Sequence, residues 1–289
     1  MLRKLNNYFT TFEKILWIGS LVLITGSAVM FGKDGILSVI ASLIGATSLL
    51  LNAKGNPIGQ ALGVIFSILY AIISFSFAYY GEMITYLGLT GPMALAAFIS
   101  WIRNPFAKGK AEVKVNHIHR GEVLFMFILT AVVTVVFYFV LDFFNTANLI
   151  PSTVSVTTSF LAVYLTFRRN RFFAVAYAAN DIVLIILWSL AALTDISYIS
   201  VVVCFVIFFV NDIYGFVSWS AMRKRQVLSA TQNAKSGKRR DKPKLSGINQ
   251  YKADCYAVCC VSQVVYPARC SKVSCQKNRC VFASIFYIC

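Results

Sequence analysis

The sequence predicts an all-α polytopic membrane protein with eight transmembrane helices. Three observations predict it: an apolar composition, recurring charge-free stretches of bilayer length, and Lys and Arg gathered in alternate connections. Of 289 residues 58% are hydrophobic, 13% are charged, and the mean hydropathy is +0.71. That is more apolar than the surface of a soluble domain allows. A hydrocarbon core about 30 Å thick takes about 20 residues of helix at about 1.5 Å per residue. Charge-free stretches of that order run Ile15 to Gly32, Gly35 to Ala53, Gly55 to Gly81, Met83 to Ile102, Val123 to Leu141 and Phe143 to Phe167. Phe172 to Thr194 and Ile196 to Met222 complete the eight, each with one internal aspartate. Barrel strands are excluded because runs such as Val201 to Val210 lack the alternation of a lipid-facing strand.

Arg3, Lys4 and the small residues Gly26, Ser27 and Ala28 give the first span the outline of a signal peptide, but its fourteen-residue lead is long for one, so it is read as a retained helix. Pro57 and Pro151 fall in the first turns of the third and sixth spans, where a missing N–H costs nothing. Pro92 lies inside the fourth, where it predicts a kink or a freed carbonyl. One set of connections, with the N-terminal lead, holds twelve Lys and Arg up to Arg171, against Lys33 alone in the other, which carries Asp34, Glu82, Asp142 and Asp195. The basic set is expected in the cytoplasm, which places both termini there and the protein in the cell membrane as a multi-pass chain. The net charge of +16 is thus topology together with a basic tail, and no nucleic-acid partner is implied.

Spans two to four and six to eight share an order of landmarks. Each triplet has an apolar helix, a short basic turn with Asn56 or Asn170, a long helix, an acidic turn at Gly81-Glu82 or Thr194-Asp195, and a closing Ser100-Trp101 or Ser218-Trp219. Starting four spans apart, the triplets point the same way, a parallel 3+1+3 repeat of a kind found in transporters. The chain is therefore divided into a lead and extra helix (1–32), a first repeat (33–102), a basic loop and linker helix (103–142), a second repeat (143–225) and a tail (226–289).

The stretch Gly55-Asn56-Pro57-Ile58-Gly59 with Tyr70, then Tyr80-Gly81-Glu82-Met83 and Ser100-Trp101, resembles the first half of the nicotinamide riboside transporter (PnuC) family. Asn180-Asp181-Ile182 with Trp188, then Asn211-Asp212-Ile213-Tyr214-Gly215-Phe216 and Trp219, resembles its second half. The resemblance covers about residues 12 to 225. It implies a core like that of the SWEET sugar transporters with an extra N-terminal helix, and passive carriage of a nucleoside-like vitamin that a cytoplasmic kinase then traps. Nicotinamide riboside is the expected substrate. Thiamine, riboflavin or a deoxynucleoside are the alternatives among relatives, and homo-oligomerisation is left open.

Ionisable groups within a span cost about 2.5–3.5 kcal/mol on insertion scales and mark function. Asp181 and Asp212 both lie roughly 15 Å from the basic side, counted at 1.5 Å per residue, and each follows an asparagine, Asn180 and Asn211. These four polar side chains are expected to bind substrate, with Trp188 or Phe208 stacking on a planar ring. The first half has no carboxylates at the matching positions and is expected to supply walls from Gln60, Tyr70 and Trp101. The competing readings are helix-packing hydrogen bonds, or proton coupling through Asp181 and Asp212.

An enzyme is not expected: an intramembrane aspartic protease would need a Gly-x-Gly-Asp context, which neither aspartate has. No glycine-rich phosphate loop is present to drive a pump. A non-transporting receptor is a weaker alternative. His117 and His119 have no ligand set around them and read as a solvated loop, so neither metal nor cofactor is expected. The tail, with seven cysteines from Cys255 to Cys289, is expected to be disordered and to take no part in transport.

Overall fold

The computed structural model describes residues 8–31, 36–76, 80–107, 111–146 and 148–240. Lys33, Asp34, Lys108, Lys110 and the seven tail cysteines lie outside the described residues. The chain divides into a unit Met1–Thr231 and a second unit Gln232–Cys289.

Among the described residues, eight helices are long and apolar enough to cross a bilayer. They are α1 (Thr11–Phe31), α2 (Ile36–Ala53), α3 (Pro57–Ser76), α4, α5 (Arg120–Phe143), α6 (Leu149–Phe167), α7 (Phe173–Ala192) and α8 (Ile199–Arg240), the last preceded by a 3₁₀ turn at Ile196–Tyr198. Helix α4 has α-helical halves, Tyr80–Thr85 and Gly91–Arg103, joined by a π-helical turn at Tyr86–Thr90. Pro92, where a kink or a freed carbonyl is expected, stands in the first turn of the second half, directly after this π-helical turn. Gly91 N–H reaches back to Tyr86 O, five residues away, immediately before the proline, and the extra residue rotates Tyr86 inward. Large apolar side chains such as Leu124, Phe139 and Phe143 on α5 are well exposed, an outward face suited to lipid.

The repeat is visible in hydrogen bonds as well as in order. Helices α2 and α6 end alike: Gly55 (φ +64°) and Arg169 (φ +54°) are left-handed, and in each turn two N–H groups close back on the last helical turn. Gly55 and Asn56 N–H donate to Asn52 O and Leu51 O at 2.9 and 3.0 Å; Arg169 and Asn170 N–H donate to Thr166 O and Leu165 O at the same distances. Asn56 and Asn170 then accept from the N–H two residues on, starting α3 and α7.

The two repeats are fastened crosswise. Trp101 Nε1 of α4 donates to Thr166 O of α6 at 2.9 Å, and Trp219 Nε1 of α8 donates to Asn52 O of α2 at 2.8 Å. Ser100 Oγ bonds Phe167 O and Ser218 Oγ bonds Ala53 O in the same crossed sense. The indoles are 0% exposed and lie 5.3 Å apart. Helix α1 is held to this core by Glu13, whose carboxylate takes Lys54 Nζ at 2.9 Å and the Tyr214 hydroxyl at 2.7 Å. Helix α5 is joined to α6 through the Arg168–Glu122 ion pair and a Thr134–Thr157 hydroxyl bond of 2.8 Å.

The loop between α4 and α5 is tied down at both repeats. Val113 N–H donates to Gly55 O and Asn116 N–H to Arg169 O, each at 3.0 Å, and Val113 is wholly buried. Gln226 clamps it, donating to Val113 O at 2.9 Å and accepting from Val115 N–H at 2.9 Å. This corrects the boundary expected at residue 225: it falls inside α8, and buried Gln226 belongs to the helical core rather than to a disordered tail. His117 and His119 are exposed on this loop, whereas Val113 and Ile118 are buried.

The crossed bonds give a prediction. Trp219→Phe keeps the ring and removes one donor, so it is expected to cost about 0.5–1.5 kcal/mol. Trp219→Ala, which also leaves a cavity, should cost about 3–5 kcal/mol. Thermal unfolding of the purified protein in detergent checks both the order and the gap.

Candidate functional site

A cavity of about 100 Å³ lies between the two repeats, and neither α1 nor α5 lines it. Its largest share comes from one face of α7, where Phe173, Tyr177, Asn180, Asp181 and Leu184 follow helical spacing. Helix α8 adds Phe205, Phe208 and Asp212 by the same logic. The first repeat contributes Gly45, Ser48, Leu49 and Asn52 from α2, Gln60, Gly63 and Phe66 from α3, and Tyr86, Thr90 and Ala94 from α4, while α6 adds Ser159 and Val163.

The carboxyl groups of Asp181 on α7 and Asp212 on α8 are neighbours on the cavity wall. Both residues are 4% exposed, and Asp181 Oδ2 has no hydrogen-bond partner. Beside them Asn180 is held from behind by α6: its Oδ1 accepts Ser155, Thr158 and Ser159 hydroxyls at 3.1, 2.8 and 3.0 Å. With the oxygen engaged three times, the amide offers the cavity its Nδ2 hydrogens, a donor next to two acids. On the facing wall Gln60 Nε2 donates to Asn52 Oδ1 at 2.9 Å, Asn52 contacts Ser48 Oγ at 3.4 Å, and Ser48 Oγ donates to Gly59 O at 2.7 Å.

A second pocket of about 70 Å³ lies toward the ends of the helices away from the basic loops. Phe66, Phe205 and Phe208 line both spaces and form the partition, with Phe66 and Phe208 edge to face at 6.2 Å. Gly45 lets them approach: a Cβ there would stand 2.8 Å from the Phe208 ring tip and 3.2 Å from Phe66. Toward the basic face, Phe173 at the cavity wall packs on Trp219 at 4.9 Å and Trp101 at 6.5 Å, and the buried Val113 and Met222 join the cluster.

The sequence-predicted residues therefore separate. Asn180, Asp181, Asp212, Gln60 and Phe208 come together in the central cavity. Tyr70 and Trp188 line the second pocket instead. Trp101 lies in the buried cluster below and does not line the cavity. Asn211 turns toward α1, its Nδ2 donating to Ser20 Oγ at 3.1 Å and Ile207 O at 2.8 Å. Sequence reasoning missed Tyr86, Tyr177, Asn52, Ser48 and Ser159. It also placed Glu82 in an outer turn, whereas Glu82 is within α4, beside Tyr70. The hydroxyl-rich run from Ser152 to Ser159, unusual in a span, was the available signal for the α6 wall.

Two like-directed helix triplets around a buried polar cavity, in a chain with eight bilayer-length helices, define a membrane carrier for a small solute. Residues 35–221 match the family model described as nicotinamide mononucleotide transporter, and the chain belongs to that transporter family, which is not a family of enzymes. It is 26% identical over 228 residues to the nicotinamide riboside transporter PnuC of Neisseria mucosa, covering 77% of this chain and 86% of that protein. The crystal structure of the vitamin B3 transporter PnuC matches with a TM-score of 0.65 at 24% identity, over 75% of this chain and 94% of that one, a likeness of fold. The resemblance read from the Asn-Pro, Asn-Asp and Ser-Trp stretches is thus to the right family.

Asn180→Leu removes an acceptor shared by three hydroxyls and a donor to the cavity. It is expected to lower stability by about 1–3 kcal/mol and to weaken ligand binding as well. Thermal unfolding with and without ligand separates the two effects.

Proposed function

We propose that this chain carries nicotinamide riboside across the cell membrane by facilitated diffusion, binding it in the cavity between the repeats. The observation that carries this reading is the charge and shape of the cavity. Two acidic side chains face six aromatic ones, Phe66, Tyr86, Phe173, Tyr177, Phe205 and Phe208, and no Lys, Arg or His is among the lining residues. A planar pyridinium is attracted by aromatic faces and by carboxylates together. Ribose hydroxyls find both donors and acceptors in Asn180, Gln60, Asn52 and Ser48. A mononucleotide adds a phosphate of about −1.5 to −2 charges, for which this lining offers no cation. The riboside, rather than the mononucleotide, is therefore the substrate. Thiamine, also a planar cation, is the second reading. Deoxynucleosides and riboflavin bring the acids no positive charge.

Movement follows from the crossed repeats. Rocking of one triplet against the other would open the cavity first past the Phe66–Phe208 partition and then past the Trp101–Trp219 cluster. No step requires a nucleotide, and the sequence has no loop to bind one. Purified protein in liposomes, with one pH on both sides, is expected to equilibrate labelled riboside without concentrating it, and to leave the mononucleotide outside. Asp181→Ala and Asp212→Ala should each weaken riboside binding at least about tenfold, the loss of one charged contact of about 1.5–3 kcal/mol, while Gln60→Ala has a milder effect. Equal uptake of riboside and mononucleotide would refute the charge argument.

The basic loops and both termini are assigned to the cytoplasm. Lys114 is exposed on the loop between α4 and α5. A Lys114→Cys variant otherwise free of cysteine is expected to resist an impermeant thiol reagent in intact cells and to react after lysis. Rapid labelling in intact cells would invert the topology.

A further inference from the structure

We propose that helix α1 is the hinge of the carrier: it stays bonded to both repeats through the transport cycle, so that the cavity opens and closes at the opposite seam, between α4 and α6. The proposal rests on the reading of the chain as a carrier whose repeats rock, and adds the line about which they turn.

Two seams join the repeats, one between α2 and α8 and the other between α4 and α6. Within the repeats alone they are equivalent. Each is closed at the basic face by an indole N–H and a serine hydroxyl donated to helix-end carbonyls, from Trp219 and Ser218 at the first and from Trp101 and Ser100 at the second. Helices α1 and α5 lie outside the repeats and break that equivalence.

Helix α1 crosses the α2–α8 seam with polar bonds to both sides. Glu13 is 3% exposed, and its Oε1 accepts from Lys54 Nζ at the end of α2 at 3.0 Å and from the Tyr214 hydroxyl of α8 at 2.7 Å. One oxygen is thus shared by donors from the two repeats. The rings of Tyr8 and Phe9 pack on Lys54, and that of Phe12 packs on Tyr214. Further along α1, Trp17 Nε1 donates to Thr47 Oγ1 of α2 at 3.1 Å, and Ser20 Oγ accepts from Asn211 Nδ2 of α8 at 3.1 Å. Ile24 extends the line into an apolar cluster with Ala46 of α2 and with Cys204 and Phe205 of α8. Glu13, Trp17, Ser20 and Ile24 recur at helical spacing, so a single face of α1 holds both repeats. The loop after α4 strengthens the same side, since Val113 bonds Gly55 O at the α2–α3 turn and is clamped by Gln226 of α8.

Helix α5 gives the α4–α6 seam no comparable bridge. Among the described residues its hydrogen bonds to other helices go to α6 alone, through Glu122 and Thr134. It meets α4 by apolar packing, with Leu141 beside Gly81 and Leu89. Apolar surfaces slide without leaving a polar group unpaired. A buried carboxylate has no such freedom: parted from Lys54 or Tyr214 it would stand uncompensated in a region without water. At the α4–α6 seam the Trp101 and Ser100 bonds join neutral groups, whose loss costs less. Arg169 Nη1 also donates to Ser100 Oγ there at 2.9 Å, from a half-buried guanidinium at the basic face that water can reach. Turning about α1 is therefore the easier motion, and it makes Trp101 and Trp219, equivalent in the repeat, different in the cycle: the Trp101 bond opens and the Trp219 bond stays.

Spin-label distances in the full-length protein, otherwise free of cysteine and reconstituted in liposomes, test the hinge with and without riboside. Labels on Ile15→Cys with Val217→Cys join α1 to α8, labels on Ile15→Cys with Ile58→Cys join α1 to α3, and labels on Ile102→Cys with Leu124→Cys join α4 to α5, all at exposed positions. One distance for each α1 pair is expected, and two populations for the α4–α5 pair, with riboside shifting their balance. Two populations in either α1 pair, or one unchanging distance for the α4–α5 pair, overturn the proposal. Oxidation of Ser20→Cys with Asn211→Cys to a disulfide gives a second readout: uptake of labelled riboside should equal that of the same protein reduced. Loss of uptake that reductant restores overturns the hinge. If the reduced protein takes up no riboside, the substrate reading fails, and the distances in the empty carrier decide the hinge by themselves.

Discussion

Carbonyl groups left over at the end of a buried helix must find donors, and here the donors for each repeat come from the other. Asn52 O and Thr166 O each take a turn N–H from their own repeat and an indole N–H from the opposite one. A helix end in hydrocarbon or protein interior has no water to substitute. The consequence is that α2 and α6, whose other faces carry Ser48, Asn52 and Ser159, are placed in a common register by Trp219 and Trp101. The cavity lies between helices positioned in this way. The loop bearing Val113 uses the same turns, bonding Gly55 O and Arg169 O, so one hydrogen-bonded layer at the basic face organises all six helices of the repeats.

Within that symmetric frame the chemistry is asymmetric. Both carboxyl groups come from the second repeat, and the first answers with amides, hydroxyls and small residues. Gly45 and Gly59 allow the α2–α3 pair to pack closely, the use of small residues expected where lipid provides no hydrophobic drive between helices. At Gly45 the space so gained is taken by the rings of Phe66 and Phe208. A duplicated fold can thus bind an asymmetric solute, since the architecture needs only the turn and tryptophan positions to match.

Much of the fold was legible because insertion into a bilayer is a requirement on length and polarity along the chain. The eight spans follow from it, and so does the common depth of Asp181 and Asp212, which required only counting residues from a basic loop. Rotation about the helix axis was less accessible. Asn211 and Asp212 are neighbours at one depth, yet successive residues on a helix point about 100° apart. One reaches the cavity and the other bonds Ser20 on α1. Trp188 and Tyr70 were legible as aromatic side chains near the site and are divided from it only by the partition of phenylalanines.

The sequence by itself determined the class of molecule, the number of spans, the parallel repeat and the presence of two acids at one level. These depend on quantities that add up along a segment, hydropathy and charge. The tertiary structure decided which side of each helix meets which neighbour. It placed Tyr86 in the cavity through a π-helical turn, drew Asn180 onto three hydroxyls of α6, set Glu82 beside Tyr70, and extended the core to Gln226. The contacts that fix the packing join residues remote in sequence: Trp219 and Asn52 stand 167 positions apart, and Gln226 and Val113 stand 113 apart. Local pattern carries no information about such a partner until the helices are packed.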